Sequence, residues 1–196
     1  SAASDVYKRQ TKDTLEGPLQ GATWNDELVA IPFWANTQLL WYRDSVAKAA
    51  GLDMSKPVTW DQIIKAAQTQ DKYLGVQGTR GESMSVWVNG LVESGGGQIV
   101  TDGEAGQDAQ VDLDSEAGQK AAEIIGTIGK EGLGGPGLAT QDENASMIQF
   151  QGDKGSFMVN YPFIYSASKA AVEDGSLEQS CLLYTSDAAD ERSSVD

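Results

Sequence analysis

The sequence has no histidine, and its single cysteine, Cys181, opens the last stretch before the C-terminal end. The chain before Cys181 therefore has no thiol nucleophile, no disulfide, no zinc site of the usual ligand set and no Ser-His-Asp triad. Basic residues are also scarce, with 14 Lys and Arg against 29 Asp and Glu and a formal net charge of -15. Such a chain lacks the cationic stripe that nucleic-acid binding needs, and anionic membrane surfaces repel it, so its partners should be neutral or cationic. No apolar run approaches the roughly 18 residues that a membrane-spanning helix requires. Residues 152–156 (GDKGS) have some letters of a phosphate loop without its spacing, and residues 102–112 hold acids without the ordered pattern of a calcium loop. No cofactor or metal is expected, and the acidic stretch reads as a solvated loop.

The two ends are related through their coding. Residues 1–10 (SAASDVYKRQ) can be encoded by TCGGCAGCGTCAGATGTGTATAAGAGACAG. The reverse complement, read one base in, encodes residues 181–189 (CLLYTSDAA) and the start of the Asp190 codon. That string resembles the end of a transposase-based sequencing adapter, and residues 191–196 fit an index followed by more adapter. Residues 1–10 and 181–196 are therefore read as adapter-derived tails. The selected part is expected to be a fragment over about residues 11–180, with 24 acids against 11 bases and a net charge of -13. That length suffices for one domain or for most of one lobe of a larger protein.

Strand and helix signals alternate along this segment. Residues 27–32 and 36–42 read as strands in a near-continuous apolar run, expected to be covered on both faces. Asp44 is placed to cap a short helix over 45–50 that Gly51 ends. Thr59-Trp60-Asp61-Gln62 is a capping box opening a helix to about residue 69. A strand is expected at 73–77, and a helix over 82–93 carries Met84, Trp87, Val88, Leu91 and Val92 at helical spacing before Gly95-Gly96-Gly97. A short strand at 99–100 and an acidic loop over 101–109 lead to Asp114-Ser115, which cap a helix to about 129. After a glycine-rich loop at 132–137 come a helix over 143–150, a strand at 155–160 and a helix with Pro162 in its first turn, through 171. The class is α/β.

Glu82, Asp142 and Glu143 are the carboxylates to examine for acid–base chemistry, although acids at helix starts are favoured by the dipole alone. Trp34, Trp41, Trp87, Tyr161 and Phe163 fall at element edges, where an aromatic face can meet the C–H face of a sugar while amides and carboxylates take its hydroxyls. Aromatic cores look the same in sequence, and Trp41 and Trp87 sit inside apolar runs, which favours core packing for both.

Four blocks in order, DELVAIPFWANTQLLWYR, KPVTWDQIIKAA, the helix with Trp87 and FQGDKGSFMVNYPFIY, resemble the family 1 extracellular solute-binding proteins of ABC importers, the maltose- and trehalose-type sugar receptors. The resemblance implies a periplasmic-binding-protein type II-like fold, mostly the C-terminal lobe of a two-lobed receptor. Residues 11–35 would end the N-terminal lobe and cross the hinge, and residues 36–180 would form an incomplete C-terminal lobe. It also implies the site residues. Asn36, and Trp34 in the same crossing segment, would contact the sugar, with Asn36 in place of the carboxylate of the maltose type. Glu82 matches a sugar-contacting carboxylate. Phe163 takes the place of the stacking Trp in the family's Gly-Pro-Trp turn, and Tyr161 replaces its glycine. The expected role is binding of a di- or oligosaccharide or related polyol and delivery to a membrane permease, without catalysis, by a monomer that is periplasmic or extracellular and lipid-anchored or free. The alternatives are a receptor for a cationic or polyamine ligand and a carbohydrate-active enzyme using Glu82 with a second acid.

Overall fold

The computed structural model describes residues 14–175, 177 and 183–185. The chain divides into two compact units, residues 1–37 and 38–196. In the first, helix α1 (Glu16–Gly21) precedes a two-stranded antiparallel hairpin of β1 (Thr23–Trp24) and β2 (Glu27–Leu28). Asn25 and Asp26 form its loop with φ of 48° and 62°, left-handed values that short Asx side chains tolerate and that a tight hairpin of this hand requires. The strand expected over 27–32 is cut to two residues because its partner has only two. Val29 and Ile31 continue as exposed chain outside the strand, with Val29 N donating to Ala22 O at 2.9 Å.

The second unit starts with β3 (Leu39–Tyr42), α2 (Asp44–Ala49), α3 (Trp60–Thr69), β4 (Tyr73–Gly75) and α4 (Glu82–Ser94). It continues with the antiparallel pair β5 (Val100–Thr101) and β6 (Gln110–Val111), α5 (Glu116–Lys130), α6 (Glu143–Gln151), β7 (Gly155–Asn160), α7 (Ile164–Glu173) and β8 (Leu183–Thr185). The main sheet has the order β4-β7-β3-β8. β4 and β7 are parallel, and β3 is antiparallel to β7 and β8.

Both faces of this sheet are covered, as expected for β3. Tyr42 and Phe157 join the larger apolar cluster with Val46, Ile63, Leu74, Trp87, Leu91 and Ile128. Their chain neighbours Trp41 and Met158 point the other way, into a smaller cluster with Phe150, Ile164 and Leu177. The period-2 alternation of a strand makes this division, and helices on both faces make it a layered α/β unit.

Local chemistry sets the helix ends. Thr59 and Gln62 form the reciprocal capping box, with Gln62 N donating to Thr59 Oγ1 at 3.2 Å and Thr59 N to Gln62 Oε1 at 2.8 Å. Ser115 and Asp142 cap α5 and α6. Asp44 departs from its expected capping place: Arg43 is the N-cap of α2, and Asp44, one residue inside, pairs with Lys48 at 2.5 Å. Arg43 is itself committed elsewhere, its guanidinium donating to the carbonyls of Phe150, Gln151 and Gly152 at the end of α6. A cation there satisfies carbonyls that the helix leaves without partners. Other boundaries move as well: the strands expected over 36–42 and 73–77 contract to Leu39–Tyr42 and Tyr73–Gly75. The strand at 99–100 shifts to Val100–Thr101, a 3₁₀ turn over Gly103–Asp108 occupies the acidic loop, and α7 starts at Ile164, past Pro162.

Gly155 opens β7 against the backbone of α6. A Cβ placed there would lie 2.0 Å from the Phe150 carbonyl oxygen, which cannot retreat without breaking the Arg43 clamp. Gly126 in α5 has nothing within 4 Å of its Cβ position. Gly155→Ala should therefore cost about 3 kcal/mol, as overpacking does. Gly126→Ala should be stabilising by about 0.5–1 kcal/mol. Urea unfolding of the two variants checks both, and equal midpoints would contradict the packing described.

Candidate functional site

The parallel strands β4 and β7 end at one edge of the sheet, and antiparallel β3 begins there, with Leu39 opposite Asn160. In open α/β sheets the crevice beyond the carboxyl ends of parallel strands is where ligands bind. β7 outruns β4: the last paired residue of β4, Gly75, lies opposite Met158, two residues before β7 ends. Side chains fill the place where the ladder stops. Gln77, Ser146 and Asn160 are fully buried at this edge.

These three are bonded to one another. Gln77 Nε2 donates to Val159 O at 2.6 Å and to Ser146 Oγ at 3.1 Å, while its Oε1 accepts from Gln38 Nε2 at 3.2 Å. Asn160 Nδ2 donates to Ser146 Oγ and to Glu143 O, both at 2.9 Å, and Asn160 Oδ1 accepts from Tyr161 N at 2.8 Å. Ser146 Oγ donates to Glu143 O at 3.0 Å. Trp41 Nε1 donates to Asn160 O at 3.0 Å, so the buried indole braces the same strand end. Each buried polar group named here has a partner, as low-dielectric burial demands. On the loop after β4, the Thr79 hydroxyl is buried with no partner among the described residues.

Three of the sequence-derived site residues follow the ends of β4 and β7 along the chain. Tyr161, half-buried, follows Asn160 directly. Phe163, the N-cap of α7, is 45% exposed. Glu82 is exposed at the first position of α4, after Gly81, whose φ of 136° turns the chain into the helix. Partial burial pushes the Tyr161 phenol above its ordinary pKa, and the carboxylates of Glu143 and then Glu82 push it further in the same direction. One phenol thus senses both acids. Asp142 is spent on structure, accepting from Ala145 N at 2.8 Å. Trp34 and Asn36 belong to the first unit, where both are exposed, Trp34 to 79%, beside Phe33 at 96%. Trp41 and Trp87 are buried in the two core clusters.

Gln38, Gln77, Ser146 and Asn160 were not among the residues singled out from the sequence. The available signal was parity: Asn160 lies two residues past Met158, on the same face of β7, where an apolar side chain would have continued the pattern. The arrangement offers an aromatic face, a phenol, two carboxylates and an edge of buried amides, a set suited to a polyhydroxylated ligand.

Removing negative charge near a phenol favours its ionised form. Glu143→Gln should lower the Tyr161 pKa, and Glu82→Gln should lower it less. Ultraviolet titration, taken as the difference from a Tyr161→Phe variant, checks this. Unchanged titration in both variants would mean that the acids do not share a site with the phenol.

The family model for bacterial extracellular solute-binding proteins matches residues 2–180. Among solved structures, the maltose-bound MalE3 of T. maritima aligns at TM-score 0.68 and 25% identity, over 83% of this chain and 42% of that one. A solute-binding protein of an ABC transporter from Thermotoga lettingae TMO, bound with alpha-D-tagatose, aligns at 0.66 and 22% identity, over 84% and 43%. One from Agrobacterium radiobacter K84, in complex with ribitol, aligns at 0.64 and 22% identity, over 83% and 42%. The chain spans less than half the length of these structures. The shared fold is an α/β architecture like that of periplasmic binding proteins, of which this chain is part of one lobe.

Proposed function

Because the chain belongs to the family of bacterial extracellular solute-binding proteins, we propose that it is part of the substrate-binding component of an ABC importer, taking a di- or oligosaccharide or a related polyol. The family match over nearly the whole chain carries this reading. The placement of Phe163, Tyr161 and Glu82 at one sheet edge supports it, as do the sugar and polyol named for the similar structures. Residues 11–35 are proposed as the end of the N-terminal lobe and the hinge crossing, and residues 36–180 as most of the C-terminal lobe. The family match ends at residue 180, which supports reading 181–196 as an adapter-derived tail; for 1–10 that reading rests on the coding argument, since the match starts at residue 2.

In the proposed mechanism the ligand lies between two lobes. Phe163 stacks on the C–H face of the ring, while Glu82 and Tyr161 meet hydroxyls from this lobe, and Asn36 and Trp34 do so from the crossing segment. Contacts made only when the lobes close favour the closed state, and the membrane permease reads that shape. No bond is made or broken in this mechanism, and the protein is proposed as a monomeric receptor rather than an enzyme, with no nucleic-acid partner. It acts in the periplasm or outside the cell, free or held by a lipid anchor. A cationic or polyamine ligand is the second reading, favoured by the two carboxylates that act on Tyr161.

A thermal-shift titration of the full-length receptor carrying this segment tests the proposal, with trehalose, maltose, sucrose, ribitol and putrescine as ligands. At about 100 times its dissociation constant, the right ligand should stabilise the fold by roughly 2.7 kcal/mol. A response to one or two sugars or polyols is the expected result, and Phe163→Ala should then weaken binding by about 1.4 kcal/mol, roughly tenfold. A response to putrescine alone would replace the sugar reading with the second one.

A further inference from the structure

We propose that Gln77 is the positioning residue of this site: its buried amide fixes the Tyr161–Phe163 turn against the start of α6, and so sets where the ligand-facing side chains stand. The inference rests on the receptor reading for its function and on geometry for its content. Gln77 lies two residues past β4, at the level where β7 has outrun its parallel partner. The Val159 carbonyl would be left without a ladder partner on that side, and Gln77 Nε2 supplies it at 2.6 Å. The same nitrogen holds Ser146 Oγ at 3.1 Å, and through Ser146 it reaches Asn160 Nδ2 and Glu143 O. Asn160 Oδ1 then holds the Tyr161 amide, which places the phenol and, two residues on, the Phe163 ring. On its other side, Gln77 Oε1 takes Gln38 Nε2 at 3.2 Å, tying in the residue that leads into β3.

One amide thus joins three segments that converge on the site from widely separated parts of the chain. Gln77 is fully buried, and both its donor and its acceptor atoms are in use. A buried amide of this kind specifies one arrangement, because any slip leaves a carbonyl or an N–H group unpaired in a low-dielectric setting. A side-chain amide can do this, since it donates and accepts from one rigid planar group.

The test uses Gln77→Met, which keeps the length and apolar bulk while removing the amide. Ser146→Ala cuts the same chain of bonds one link further on with almost no change of shape. The reporter is the Tyr161 phenol, titrated by ultraviolet difference in the whole chain without ligand. Gln77→Met should let the turn relax and the phenol hydrate, so that it titrates closer to an ordinary tyrosine, and Ser146→Ala should give a smaller shift in the same direction. In the full-length receptor, Gln77→Met should weaken the best-responding carbohydrate of the panel at least tenfold. Unchanged Tyr161 titration in both variants, with only a lower urea midpoint, would overturn the proposal and leave Gln77 a structural core residue. If Gln77→Met does not fold, Ser146→Ala in the same titration decides. If the unsubstituted receptor answers no carbohydrate, the receptor reading fails by itself, and the titration still decides the role of Gln77.

Discussion

The parallel pairing of β4 with β7 is the constraint on which the rest depends. It brings two strand ends to one edge, from chain positions about 80 residues apart, and it stops early on one side. The side chains of β7 then divide between the two faces, Phe157 into the larger core and Met158 into the smaller one, which locks the register of the central strands. β7 packs so closely on α6 that only glycine fits at its first position. The Arg43 clamp holds the end of that helix, and the capped start of the same helix places Glu143. The candidate site is the exposed end of this arrangement.

The early stop of β4 also explains why the edge is polar. Backbone groups that lose their ladder partners inside a protein must find others. Here amide and hydroxyl side chains serve, so the floor beneath Tyr161 and Phe163 is a bonded network rather than an apolar plug. A receptor gains from such a floor, because preorganised side chains lose less freedom when a ligand binds. The acidic character of the surface follows the same line. The charges of Glu143 and Glu82 both act on the Tyr161 phenol and raise its pKa.

Much of the fold was legible wherever a local rule decided it. The capping box at Thr59 and Gln62 and the strand over 155–160 appear as the sequence spells them, since the first is a contact within four residues and the second an apolar run bounded by turn residues. Errors arose where the deciding partner was distant or unusual. The hairpin at Asn25 and Asp26 was hidden because its turn uses two Asx residues without a glycine. Asp44 looked like a cap, but Arg43, drawn to carbonyls 107 to 109 residues away, took that position. Tyr161 and Glu82 were singled out through motif position. Gln77 was not, because its partners lie 39, 69 and 82 residues along the chain and no local pattern points to them.

The claim at the centre of this account is that the C-terminal edge of β4 and β7 is the ligand-facing side of the lobe. Hydrogen–deuterium exchange of the full-length protein, with and without the carbohydrate or polyol proposed to bind it, tests it most directly. Protection on binding should concentrate in residues 77–83, 141–146 and 160–164, at that edge. The account would be contradicted if these segments exchanged unchanged while protection appeared at the opposite edge, in residues 71–73 and 152–155.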